Sequence, residues 1–151
     1  MRMAIRSRAR VRQQLIVAVF YFIATAFSGL TQAHEPGGVA FHVDSDETMN
    51  RGLRQITRHL EAHPSIPIRV ILIADGVKPA LEGATDSNGG LYGAQMEQLL
   101  AQNVRIFACG NTLRSFNKSA DDLTFGIETV PSGIAELGRL QFELGFSYLK
   151  I

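Results

Sequence analysis

From Val39 onward, apolar and polar positions alternate in short blocks with either a strand-like or a helical period. Val39-Ala40-Phe41-His42-Val43 is a nearly continuous apolar run that ends in Asp44-Ser45-Asp46, which predicts a buried strand and then a helix start. Met49, Leu53, Ile56 and Leu60 recur at helical spacing, with Arg51, Arg54 and Arg58 turned outward. Asp46 or Ser45 is available as cap, and Pro64 ends this helix near His63. Ile66 to Ala74 carries Ile68, Val70, Ile71, Leu72 and Ile73, a central parallel strand closing on Asp75-Gly76. Lys78 to Gly90, with Pro79, Gly83 and Asp86-Ser-Asn-Gly-Gly90, is a long loop of the kind that forms binding or lid segments.

Tyr92, Met96, Leu99 and Leu100 predict a second helix, ending at Asn103. Val104, Ile106, Phe107 and Ala108 make a third buried strand that stops at Cys109-Gly110-Asn111-Thr112, where Asn or Thr can cap a short helix over Leu113 to Phe116. Ser119 to Asp122 reads as a capping box, and Ile127 to Val130 as a fourth strand. Pro131-Ser132-Gly133 opens a helix with apolar positions Ile134, Leu137, Leu140 and Leu144, and Phe146 to Ile151 adds an edge strand.

Strands alternating with helices in this way predict one α/β domain: a doubly wound, three-layer, mostly parallel sheet of four to five strands with helices on both faces. If the strand order is flavodoxin-like, it reverses between the first and third strands, and Asp44 and Cys109 flank one crevice.

The first 33 residues read differently. Arg2, Arg6, Arg8, Arg10 and Arg12 precede an uncharged apolar stretch from Leu15 to Leu30, and Thr31-Gln32-Ala33 offers the small residues of a cleavage site. This predicts a signal peptide over 1–33, cleaved after Ala33, and a periplasmic or otherwise exported domain over 34–151. The rival is a retained anchor, for which Leu15 to Leu30 falls just short of a bilayer's thickness. Without residues 1–33 the chain keeps ten Lys plus Arg against fourteen Asp plus Glu, a net charge of −4. That balance excludes a nucleic-acid partner, and cleavage leaves no stable membrane span. A single cysteine excludes an internal disulfide.

Cys109 is the first candidate for chemistry, because it sits where a strand ends and a helix begins, and helix-terminal amides favour a thiolate. The bland alternative is a packed small hydrophobe. Gly110, Asn111, Thr112 and Asp44 are the residues placed to bind a small anion or a persulfide beside it. Asn111 and Thr112 otherwise cap the helix, and Asp44 and Asp46 otherwise suit a helix start. His59 and His63 are spaced i, i+4 but lack a third ligand, and His34 would matter only as a new N-terminus. No residue pattern calls for a metal or an organic cofactor. The 86–90 loop lacks the Lys-Ser/Thr of a phosphate-binding loop.

The strings F-A-C-G-N-T-L (107–113), D-D-L (121–123), V-P-S-G-I-A-E-L (130–137) and Q-F-E-L-G-F-S-Y-L-K (141–150) resemble the exported branch of the DsrE/DsrF-like family. The resemblance runs from about Val39 to Lys150. It implies a flavodoxin-like sheet, homotrimers or hexamers, and a link to sulfur chemistry: Cys109 matches a position that carries sulfur as a persulfide between a donor and an acceptor protein or small thiol. Gly110-Asn111-Thr112 differs from the small-residue helix start of the cytoplasmic carriers. Two alternatives stand beside a carrier: a non-catalytic oligomeric module that binds a small anion or a protein at the sheet's carboxyl edge, and a thiol sensor or peroxide scavenger without a resolving cysteine.

Overall fold

The computed structural model describes residues 37–151; the predicted signal peptide and His34 lie outside them. Five parallel strands, β1 (Val39–Val43), β2 (Ile68–Leu72), β3 (Arg105–Cys109), β4 (Glu128–Val130) and β5 (Ser147–Lys150), form one sheet in the order β4-β3-β2-β1-β5. The helices are α1 (Met49–Ala62), α2 (Tyr92–Leu100), α3 (Gly110–Ser115) and α4 (Gly133–Phe142). The α/β class and the helices on both faces are as the periodicity predicts.

The strand order explains where each helix lies. Steps β1 to β2, β2 to β3 and β3 to β4 all run the same way across the sheet, so right-handed crossovers put α1, α2 and α3 on one face. The step from β4 to β5 runs back across the whole sheet, which puts α4 alone on the other. Alternation along the strands follows suit. Val39, Phe41, Val43, Ile68, Val70, Leu72, Ile106 and Ala108 enter the large core with Met49, Leu53, Ile56, Met96 and Leu99. Ala40, Ile71 and Phe107 turn the other way and pack under Leu137 and Leu140 of α4.

Several local expectations are corrected. The strand order is not 2-1-3-4-5: β1 lies between β2 and β5, so β2 separates Asp44 from Cys109. The residue before α1 is Thr48, with no side-chain cap, because Ser45 Oγ instead accepts the Glu47 N–H across a tight turn. On α4, Leu137 and Leu140 are buried but Ile134 is exposed and Leu144 lies beyond the helix end, since one helix on a broad sheet covers little beyond its own footprint. The 78–90 stretch begins inside a 3-10 segment, Ala74–Ala80, and its remainder is tied down by pairings of Leu81 with Leu123 and Thr85 with Leu91. The capping box is present: the Ser119 side chain accepts from Asp121 N–H, and Asp122 accepts from Ser119 N–H.

Candidate functional site

Two neighbouring strands decide where a crevice can open at the carboxyl edge. β3 leads into α3 on the three-helix face, and β4 leads through Pro131-Ser132 into α4 on the opposite face. Adjacent strands whose outgoing connections part to opposite faces define the switch point at which α/β sheets bind ligands. Here that point lies between β3 and β4, and Cys109 is the last residue of β3.

Cys109 occupies the cap position of α3 with extended backbone and is only 4% exposed. Its sulfur reaches across the switch point: Gly133 N–H, at the start of α4, donates to Sγ at 3.3 Å. This approach needs glycine at 133, since an added Cβ would stand 2.6 Å from Ile73 Cγ1 and 3.2 Å from Cys109 Cβ. The Thr112 hydroxyl and the Thr112 and Asn111 amides direct partial positive charge at the same sulfur. Burial by itself pushes the thiol's pKa up; those donors, Gly133 N–H first among them, outweigh it and hold the thiol below its ordinary value.

Thr112 has a second contact. Its hydroxyl accepts the Ala74 N–H at 3.1 Å, which leaves its own proton for the sulfur. Ala74, just past β2, has φ +49°, a left-handed backbone that costs a non-glycine residue roughly 1–2 kcal/mol. The hydroxyl therefore links the thiol to a strained turn. Nothing in the residue types around Ala74 announces this, because the partners are 38 positions apart in sequence.

The other candidates fall elsewhere. Gly110 lies beneath the Arg114 side chain, with Val130 O 3.1 Å from where a Cβ would be. Asn111 caps nothing: its Oδ1 accepts from Arg114 on the exposed side of α3. Asp44 belongs to a separate group at the β1/β5 edge, where its carboxylate meets Lys150 Nζ at 2.6 Å. This ammonium holds the Asp44 carboxyl below the usual range. Beside it, His42 is buried, with Nδ1 2.9 Å from the Tyr148 hydroxyl and Nε2 without a partner among the described residues. His59 packs edge-on to Phe41 and lies 5.3 Å from the His63 ring. Among the described residues no three His, Cys, Asp or Glu side chains come together to hold a metal, and no helix is long and apolar enough to cross a membrane.

Known proteins match this fold across its length. A protein of unknown function from Methanobacterium thermoautotrophicum is 32% identical, with TM-score 0.66 over 76% of this chain and 99% of its own. The ychN protein of E. coli shares the fold at 22% identity and TM-score 0.64, covering 76% of this chain and 99% of its own. So does a conserved protein of unknown function from Bacteroides thetaiotaomicron, at 20% identity and TM-score 0.54 over 74% of this chain and 94% of its own. Among curated proteins, none matches this chain. The profile of the DsrE/DsrF-like family matches residues 37–151, the whole of the sheet and its helices, and the chain belongs to that family.

Proposed function

We propose that this protein carries sulfane sulfur on Cys109, in an exported domain released by cleavage after Ala33. The observation that carries the reading is the Gly133 N–H bond to Sγ at the β3/β4 switch point, joined by the Thr112 hydroxyl. A sulfur so surrounded rests as a thiolate more readily than a free cysteine does, and the thiolate is the nucleophile.

Loading follows from that state. The Cys109 thiolate attacks the outer sulfur of a donor persulfide, R–S–SH. The donor's S–S bond breaks, R–S⁻ leaves as a thiolate, and Cys109 holds the outer sulfur as Sγ–SH. Unloading is the same exchange in reverse sense: an acceptor thiolate attacks the terminal sulfur, the Sγ–S bond breaks, and the Cys109 thiolate returns to its donors. No net oxidation occurs. Family resemblance suggests assembly as a trimer or hexamer, and exposed Phe125, Ile134 and Phe142 offer apolar surface for it.

Intact mass of the protein purified without reductant and incubated with a persulfide donor tests the reading. Gain of whole sulfur atoms, reversed by dithiothreitol and absent from Cys109→Ser, is the expected result. A folded wild type that gains no sulfur returns the protein to the second reading, a binding module in which Cys109 only packs, which its burial favours.

A further inference from the structure

Among the described residues, His42 and His59 each hold a buried ring nitrogen without a hydrogen-bond partner, and of the two only His42 is itself buried as a residue. It follows Ala40 by two along β1, so its ring turns to the α4 face. Ile71 of β2 lies beside it on one side and Lys150 of β5 on the other. Nδ1 is 2.9 Å from the Tyr148 hydroxyl, and Nε2 is the atom left without a partner. The charges acting on the ring are Asp44, just past the end of β1, and Lys150, and these two pair with each other at 2.6 Å. On this face α4 packs through apolar Leu137 and Leu140, and its Glu136 and Arg139 pair with each other.

β5 is the element that can yield. Its one strand neighbour is β1, and all four of its residues are exposed. Its flanks are pinned. Phe146 N–H donates to Leu140 O at 2.9 Å, and Ile151 is buried in the large core, where a Cβ on Gly52 of α1 would meet Ile151 Cγ2 at 2.9 Å. Between those pins, the side-chain ties of β5 among the described residues run from Tyr148 to His42 and from Lys150 to Asp44. Both ties end beside the same imidazole.

A neutral imidazole has one donor and one acceptor nitrogen, and Tyr148 can satisfy either at Nδ1. A second proton makes both nitrogens donors. Nδ1–H can still donate to the hydroxyl oxygen, but Nε2–H becomes a buried, charged donor with no acceptor. β2 is enclosed by strands on both sides, so the cheapest route for water to that nitrogen is past the exposed edge strand. We propose that β5 is a proton-operated strap: one proton on His42 lifts Tyr148–Lys150 off β1 while the rest of the sheet stays closed. Burial depresses the His42 pKa in the closed state, so below 6.5 the open state binds more protons and acid favours opening. Asp44 and Lys150 hold each other charged, the carboxyl pushed down and the ammonium up, so neither titrates between pH 7.5 and pH 5.

Hydrogen exchange of the full chain, corrected for the intrinsic effect of pH and read by mass spectrometry over 147–151 and 68–72, tests this. Opening of 147–151 should rise several-fold from pH 7.5 to pH 5, under a ceiling of about thirtyfold set by an open imidazole that titrates at 6.5. Exchange over 68–72 should not follow. His42→Gln is uncharged at both pH values and should abolish the rise, with slow exchange over 68–72 showing that the variant is folded. Tyr148→Phe keeps a half-exposed ring and removes one tie, so 147–151 should open several-fold more at pH 7.5. If His42→Gln does not fold, the wild type and Tyr148→Phe decide. No rise in the wild type, a rise shared equally by 68–72, a rise that persists in folded His42→Gln, or a Tyr148→Phe strap as closed as the wild type each overturns the proposal.

Discussion

The two faces of the sheet are built unequally. Three helices and the Ala74–Ala80 segment bury twenty-one residues on one face among the described residues, whereas α4 buries a core of five on the other. The difference follows from chain direction, since three crossovers advance and one returns. It teaches where stability and chemistry divide. The thick face supplies the hydrophobic free energy. The thin face, through the first residue of α4, supplies the donor that reaches Cys109.

The largest effect should come from truncating the thick core. Ile56→Ala, in a side chain fully sealed between α1 and the sheet, should cost about 3–5 kcal/mol of unfolding free energy. Leu140→Ala, equally buried but beneath a single helix that can settle toward the sheet, should cost about 2–3 kcal/mol. Urea denaturation of both variants measures the gap. An equal or reversed order would break the contrast between the faces.

Next in size is the contact that joins the faces at the sulfur. Thr112→Val removes the acceptor of Ala74 N–H and a donor to Sγ, so stability should fall by about 1–3 kcal/mol and the thiol pKa should rise. Thr112→Ser should preserve both. Gly133→Ala forces α4 away from Ile73 and Cys109, raising the thiol pKa in the same direction. Alkylation rate against pH reads the shift. A Thr112→Val thiol that titrates like the wild type would sever the proposed link.

The smallest effect is the pH dependence of the β1/β5 edge. Burial depresses the His42 pKa in the folded state below its unfolded value of 6.5, ahead of the opposing influence of Asp44. Between the two values the unfolded chain binds more protons than the folded one. The stability from keeping His42 neutral is therefore complete above pH 6.5 and is lost as pH falls through the lower folded value. Urea midpoints from pH 7.5 to pH 5 should decline in the wild type and flatten in His42→Gln. A wild-type midpoint that rises on acidification in this window would reverse the sign.

Much of this was legible from the residues. Strand and helix periods are local, and each records which side of an element meets the core, so the order of elements, the parallel sheet and the place of Cys109 at a strand end could be read directly. The exposure of Ile134 could not, because α4's apolar stripe is wider than the surface one helix finds beneath it. Nor could the partners of Asp44 and Thr112, which are set by strands and turns distant in sequence.

What the sequence by itself determined, then, is the alternation of buried strands and amphipathic helices and the position of the lone thiol among them. Tertiary structure alone decided that β5 returns to the far side of β1. This moved the switch point to β3 and β4, parted Asp44 from Cys109, and brought Gly133 to the sulfur. The physical reason is that periodicity encodes how deeply each element is buried. Which strands become neighbours depends on how all the crossovers pack together, and no single segment carries that information.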